Sequence, residues 1–87
     1  MNIEVRRIYR FDSDRPLKAF VDIVIDDSFM IKGIQVVQGK DGLFVKMPSE
    51  QSKDKKWYEV VQCLNEKTKK LVTSIVLATY NEPQNPQ

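Results

Sequence analysis

This chain of 87 residues has no histidine, one cysteine (Cys63) and no long apolar run. Each lack excludes something. A single cysteine cannot close a disulfide within the chain, and a zinc site built from several Cys and His ligands has no ligand set here. With no imidazole to activate it, Cys63 reads as a small apolar residue rather than a nucleophile. No stretch approaches the roughly 18 apolar residues of a membrane span, and Met1-Asn2-Ile3-Glu4 does not begin a signal-peptide core. Asp22, Asp26 and Asp27 lack the spacing of a calcium-binding loop. Gly39-Lys40-Asp41-Gly42 is too short for a phosphate-binding P-loop and lacks its following Lys-Ser/Thr. No acid, base and nucleophile can be assembled. The expectation is a soluble, cytoplasmic, non-enzymatic protein with no metal, cofactor or small-molecule substrate.

What is present is one small domain. A chain of this length buries only about 60% of the surface it exposes when unfolded, so its core is thin. With disulfides and metals excluded, a partner subunit is the remaining way to hide apolar surface, and a homodimer is expected. Net charge is only +2, from 14 basic and 12 acidic residues, so the distribution of charge matters more than its sum.

Ile3, Val5, Ile8 and Phe11 stand among Glu4, Arg6, Arg7 and Arg10 in a β-prone stretch whose alternation breaks near Arg7. That pattern suits an edge strand with a bulge. The three arginines either guard the edge against sheet-to-sheet pairing or contact phosphate. Asp12 to Pro16 is turn chemistry. Leu17, Ala19, Val21, Ile23 and Ile25 then alternate with Lys18, Phe20, Asp22, Val24 and Asp26, which is a strand. Asp26-Asp27-Ser28 turns the chain into a run from Phe29 to Val37, where Gly33 signals a bulge, a bend or a close backbone approach. Gly39 to Gly42 is a hairpin turn, followed by a strand from Leu43 to Met47 that Pro48 stops. Loops this short join antiparallel neighbours.

Ser49 to Lys56 is wholly polar and reads as an exposed loop or hairpin, with Lys53, Lys55 and Lys56 clustered. Trp57 to Val61 suits a short last strand, with Trp57 buried as an anchor and Tyr58 on the opposite side free to stack on a base. Asn65 can cap a helix, with Glu66 in its first turn. Thr68, Leu71, Val72, Ile75, Val76 and Thr79 recur at helical spacing, although Val72 to Tyr80 is rich enough in β-branched residues to pass for a strand. Residues 83–87, with Pro83 and Pro86, are expected to form a disordered tail after a domain spanning 1–82. The fold class is α+β: an antiparallel meander of four or five strands and one C-terminal helix, in a dimer.

Gly42-Leu43-Phe44-Val45-Lys46-Met47-Pro48-Ser49 is very similar to the GLFVxMPS signature of the stage V sporulation protein G (SpoVG), or septation protein, family. Ile23 to Asp26, Phe29 and Ile34 to Gly39 resemble the family upstream; Asp54, Trp57, Glu59-Val60, Leu64-Asn65 and the segment ending at Tyr80 do so downstream. The resemblance implies a helix over Val72 to Tyr80, a homodimer, and a DNA- and RNA-binding regulator linked to septation and sporulation. The chain departs from the family where Lys-Arg commonly follows the signature, having Glu50 and Gln51 there, and where His-Pro-Ile-Asn commonly precedes the helix, having Gln62-Cys63-Leu64-Asn65.

Lys67, Lys69 and Lys70 lie at the start of the expected helix, where positive charge opposes the macrodipole. Folding gains nothing from them there, which points to phosphate contact, although a solvated charged face is the plain alternative. The nucleic-acid candidates are Lys53, Lys55, Lys56, Tyr58, Lys67, Lys69 and Lys70. Ile34, Val36 and Phe44 are the expected dimer contacts, and pairing there would put two lysine-bearing helix starts on one molecule. The competing reading is a protein–protein module of cell division that binds no nucleic acid, which Glu50 and Gln51 favour.

Overall fold

A computed structural model describes residues 1–83. Four strands, β1 (Ile3–Arg10), β2 (Leu17–Ile25), β3 (Phe29–Gly39) and β4 (Gly42–Lys46), form one antiparallel sheet in sequence order. A separate two-stranded sheet pairs β5 (Ser49–Gln51) with β6 (Trp57–Glu59), and one helix, α1 (Glu66–Tyr80), follows. The segment after β4 therefore does not extend the meander; it folds back on itself as a hairpin. Of the expected tail, residues 84–87 lie outside the described residues.

The alternation in β2 is what the sheet uses. Ala19, Val21 and Ile23 are buried on one face, and their register partners Ile34 and Val36 from β3 join them there. Val72 and Val76 of α1 close the core from above, with Ile3 at its margin. Burial of this face resolves the ambiguity of Val72 to Tyr80, because a stripe one helical turn apart lies along the sheet while a strand would turn half its β-branched residues to water. Leu71, which the helical spacing placed on that stripe, sits at its outer margin and is exposed.

Two bulges meet at one residue. β1 carries an extra residue, Arg6, between Val5 (opposite Ile23) and Arg7 (opposite Asp22). β3 carries an extra residue between Ile31 (opposite Ile23) and Ile34 (opposite Val21). Gly33 supplies the positive φ of +83° that this second bulge needs, and its N–H donates to the Asp22 carboxylate at 3.1 Å. The space where a Cβ would stand is open, so Gly33 is there for its backbone conformation and not for a close approach. Asp22 is thus a sheet staple.

The β2–β3 turn places Asp26 and Asp27 at φ +50° and +53°, closed by the Ser28 N–H donating to the Ile25 carbonyl at 2.9 Å. Positive φ at both central residues matches the twist of a tight hairpin, and aspartate tolerates it better than most side chains. Asp26 also accepts from the Asn2 backbone N–H at 2.7 Å, tying the start of β1 to this turn.

The helix begins as its cap predicts. The Asn65 side chain accepts from the Thr68 N–H at 2.8 Å, with Glu66 in the first turn. Replacing Asn65 by alanine should cost about 1 kcal/mol, read as a fall of roughly 4–8 °C in Tm. Replacement by aspartate should retain most of that stability.

Candidate nucleic-acid interface

Lys67, Lys69 and Lys70 are all exposed on the first turns of α1. Asn65 takes up two amides there, Thr68 through its side chain and Lys69 through its carbonyl, while those of Glu66 and Lys67 find no acceptor among the described residues at this positive end of the helix. Helix geometry sets Lys67 and Lys70 on a shared side, with Lys69 about 100° round from Lys70. Lys69 and Lys70 border a shallow hollow with Glu66, Thr73 and Ser74. On its other side Lys69 borders a second hollow, of about 160 Å³, shared with the end of β4 at Val45 to Met47, Glu59 of β6 and Cys63. Lys46 borders this hollow by its position in β4, while its register with Gln35 turns its side chain to the sheet face opposite α1. Sequence reasoning passed over it because it appeared only as the polar member of an alternating strand.

Carboxylates stand in the same place. Glu59 lies within the second hollow and Glu66 within the first, so the helix start is a mixed surface with a cationic majority.

The β5–β6 hairpin carries the other candidates. Lys53, Lys55 and Lys56 are exposed at its tip, where Ser52 organises the turn: its N–H donates to the Lys56 carbonyl at 2.8 Å and its carbonyl accepts from Lys55 at 2.9 Å. Lys55 sits at φ +65°. The Ser52 hydroxyl also bonds the Asp54 carboxyl and holds its pKa below the usual carboxylate value. The Val60 N–H anchors the root of the hairpin to the Pro48 carbonyl at 2.9 Å, but the two strands pack substantially only on each other. The hairpin tip and the helix start are therefore two separate basic groups, not one packed cluster.

Trp57 is 67% exposed, which overturns its expected role as a buried anchor. A short two-stranded arm has no second layer, so neither of its faces can be an interior. Tyr58 is also exposed, and its hydroxyl donates to Glu50 at 3.2 Å. That hydrogen bond and the adjacent negative charge push the Tyr58 phenol pKa up. Glu50, in place of the family's lysine, thus engages the candidate stacking residue.

Ile34 and Val36, expected at a dimer contact, are fully enclosed beneath α1. Their side chains have no surface left to offer a partner; the alternation in β3 points them to the helix instead. Phe44 is on the opposite face and remains 46% exposed.

Among the arginines of β1, Arg10 has a structural assignment. Its guanidinium reaches across to the end of α1, donating to the carbonyls of Thr79 at 2.8 Å and Tyr80 at 3.2 Å, and lies 5.8 Å from the centre of the Tyr80 ring. A cation on the last carbonyls complements the macrodipole, and α1 has no basic residue of its own in its last turn.

The family model described as SpoVG matches residues 1–82. The chain belongs to the SpoVG family. This SpoVG-family chain is 35% identical over 86 residues to "Putative septation protein SpoVG 1" of Listeria monocytogenes, covering 99% of this chain and 84% of that protein. It is 33% identical to "Putative septation protein SpoVG" of Lachnospira eligens, covering 97% and 96%, and 32% identical to the protein of that name from Bdellovibrio bacteriovorus, covering 94% and 75%. No helix among the described residues of this SpoVG-family chain is long and apolar enough to cross a membrane.

Proposed function

We propose that this protein is a non-enzymatic regulator that binds DNA or RNA as a homodimer, in keeping with relatives named for septation. The observation that carries the reading is the start of α1, where three exposed lysines share the first turns with two backbone amides that have no partner among the described residues. These lysines oppose the helix macrodipole and add nothing to the core, so a ligand with negative charge is what rewards them. Lys53, Lys55 and Lys56 on the hairpin add a second basic group that a long backbone can reach. The dimer is supported by the thin core and by the arm: a hairpin tied to the rest of the chain mainly at its root, and exposing Trp57, Tyr58 and Val60, is marginal alone in water and gains from a second subunit.

A titration of labelled duplex DNA across salt concentrations tests the reading. Lys67→Ala/Lys69→Ala/Lys70→Ala should flatten the slope of log K against log salt by about 0.9 for each phosphate that is no longer neutralised. Unaltered binding in this variant would remove the helix start from the interface. The arm favours a second reading, a protein–protein module, because carboxylates Glu50 and Glu59 stand where phosphate would have to approach. Wild type that binds no nucleic acid at low salt would decide for that module.

A further inference from the structure

The helix covers only one face of the four-stranded sheet. On the other face the register aligns Tyr9, Phe20, Gln35 and Lys46 in one row from β1 to β4, with Val37 and Phe44 paired in the next. Among the described residues no element packs over this face. Tyr9 is 66% exposed, Phe44 46% and Phe20 36%. Phe11 supports this group from the strand end, its ring edge-on to Phe20 at 5.4 Å and tilted to Tyr9 at 6.0 Å. Arg7 on β1 and Lys46 on β4 are exposed and flank the aromatics at the two edges of the sheet. The carboxylates of this face are Asp22, which holds the Gly33 N–H, and Glu4, towards the other end of β1.

Exposed rings here do not serve the core, which lies on the far side of the sheet. Their chemistry suits a flat, π-faced ligand, and cations at both margins suit one that is also anionic along its length. Phe20 and Phe44 are two strands apart across the sheet and two residues apart along it, about 12 Å at ordinary strand dimensions, a separation that unpaired bases on an extended backbone can span. We propose that this open face is a second binding surface, which stacks unpaired bases of single-stranded nucleic acid on Tyr9, Phe20 and Phe44 while Arg7 and Lys46 meet the phosphates. The inference rests on the reading that the protein binds nucleic acid, and adds to it a ligand class, the unpaired strand, that the helix lysines do not select.

The test is a titration of fluorescein-labelled oligo(dT) and of a labelled mixed-sequence duplex of equal length. The proteins are wild type, Tyr9→Ala/Phe44→Ala, Tyr9→Phe and the helix-lysine triple variant, each checked by thermal melting and sedimentation. Both substituted rings are exposed, so the double variant is expected to melt within a few degrees of wild type. It should lose oligo(dT) affinity by about tenfold per ring, roughly a hundredfold in all. Duplex affinity should stay within about twofold, and Tyr9→Phe, which keeps the ring, should bind oligo(dT) as wild type does. Undiminished oligo(dT) binding by the double variant, with both ligands weakened by the lysine variant, overturns the sheet platform and leaves the helix reading intact. Wild type that binds neither ligand overturns both. A double variant that becomes monomeric where wild type is a dimer assigns the face to a second copy of the chain and overturns the platform.

Discussion

Ile34→Ala should lower the stability of the domain by about 3–4 kcal/mol, the ordinary cost of emptying a buried isoleucine site. A chain of this size has only about 4–13 kcal/mol in total, so a large share of the folded state's stability goes with it. Ile34 is fully enclosed between β2 and α1, among Val21, Val36 and Val76, and the cavity left by truncation has no flexible neighbour from solvent to fill it. In urea the midpoint should fall sharply with little change in slope. Phe44→Ala is the matched control. Its ring is half exposed and passes close to Gly39, so a cost of about 1 kcal/mol or less is expected. The opposite ranking, with Phe44 costly and Ile34 neutral, would mean that β3 faces a partner and not the helix.

Arg10→Ala should cost about 2 kcal/mol, since it removes a charged donor from two partly buried carbonyls that are then left without it. For a domain of this size that is a fall of roughly 8–16 °C in Tm. Arg10→Lys should recover less than half, because an ammonium keeps the favourable charge at the helix end but not the planar contact with the Tyr80 ring. Nucleic-acid affinity at 25 °C should hardly move in either variant. An unchanged Tm together with a salt slope flattened by about 0.9 would instead assign Arg10 to phosphate contact.

Arg10 also illustrates the limit of reading a chain from its residues. Arg6, Arg7 and Arg10 look alike in sequence, each a cation on an amphipathic edge strand. Only the docking of α1 across β1 gives Arg10 a set of carbonyls, from residues some seventy positions away. Trp57 fails for a related reason: alternation in a short strand says which residues share a face, but not whether anything covers that face. The β5–β6 pair has no second layer, so the larger ring stays in water.

The amino-acid order by itself determined the local events. Period-two alternation in Leu17 to Ile25, paired aspartates at a hairpin turn, Gly33 at a bulge and Asn65 before an apolar helical stripe each act through backbone sterics or hydrogen bonds within a few residues, so they are legible without the fold. The signature Gly42 to Ser49 likewise carried the family. Tertiary structure decided which face of β3 is interior, that the lysine hairpin stands apart from the sheet, and that one side of the sheet is open with its aromatics and Lys46 exposed. These depend on where one helix of 15 residues lies, and a helix can cover only one face of a sheet.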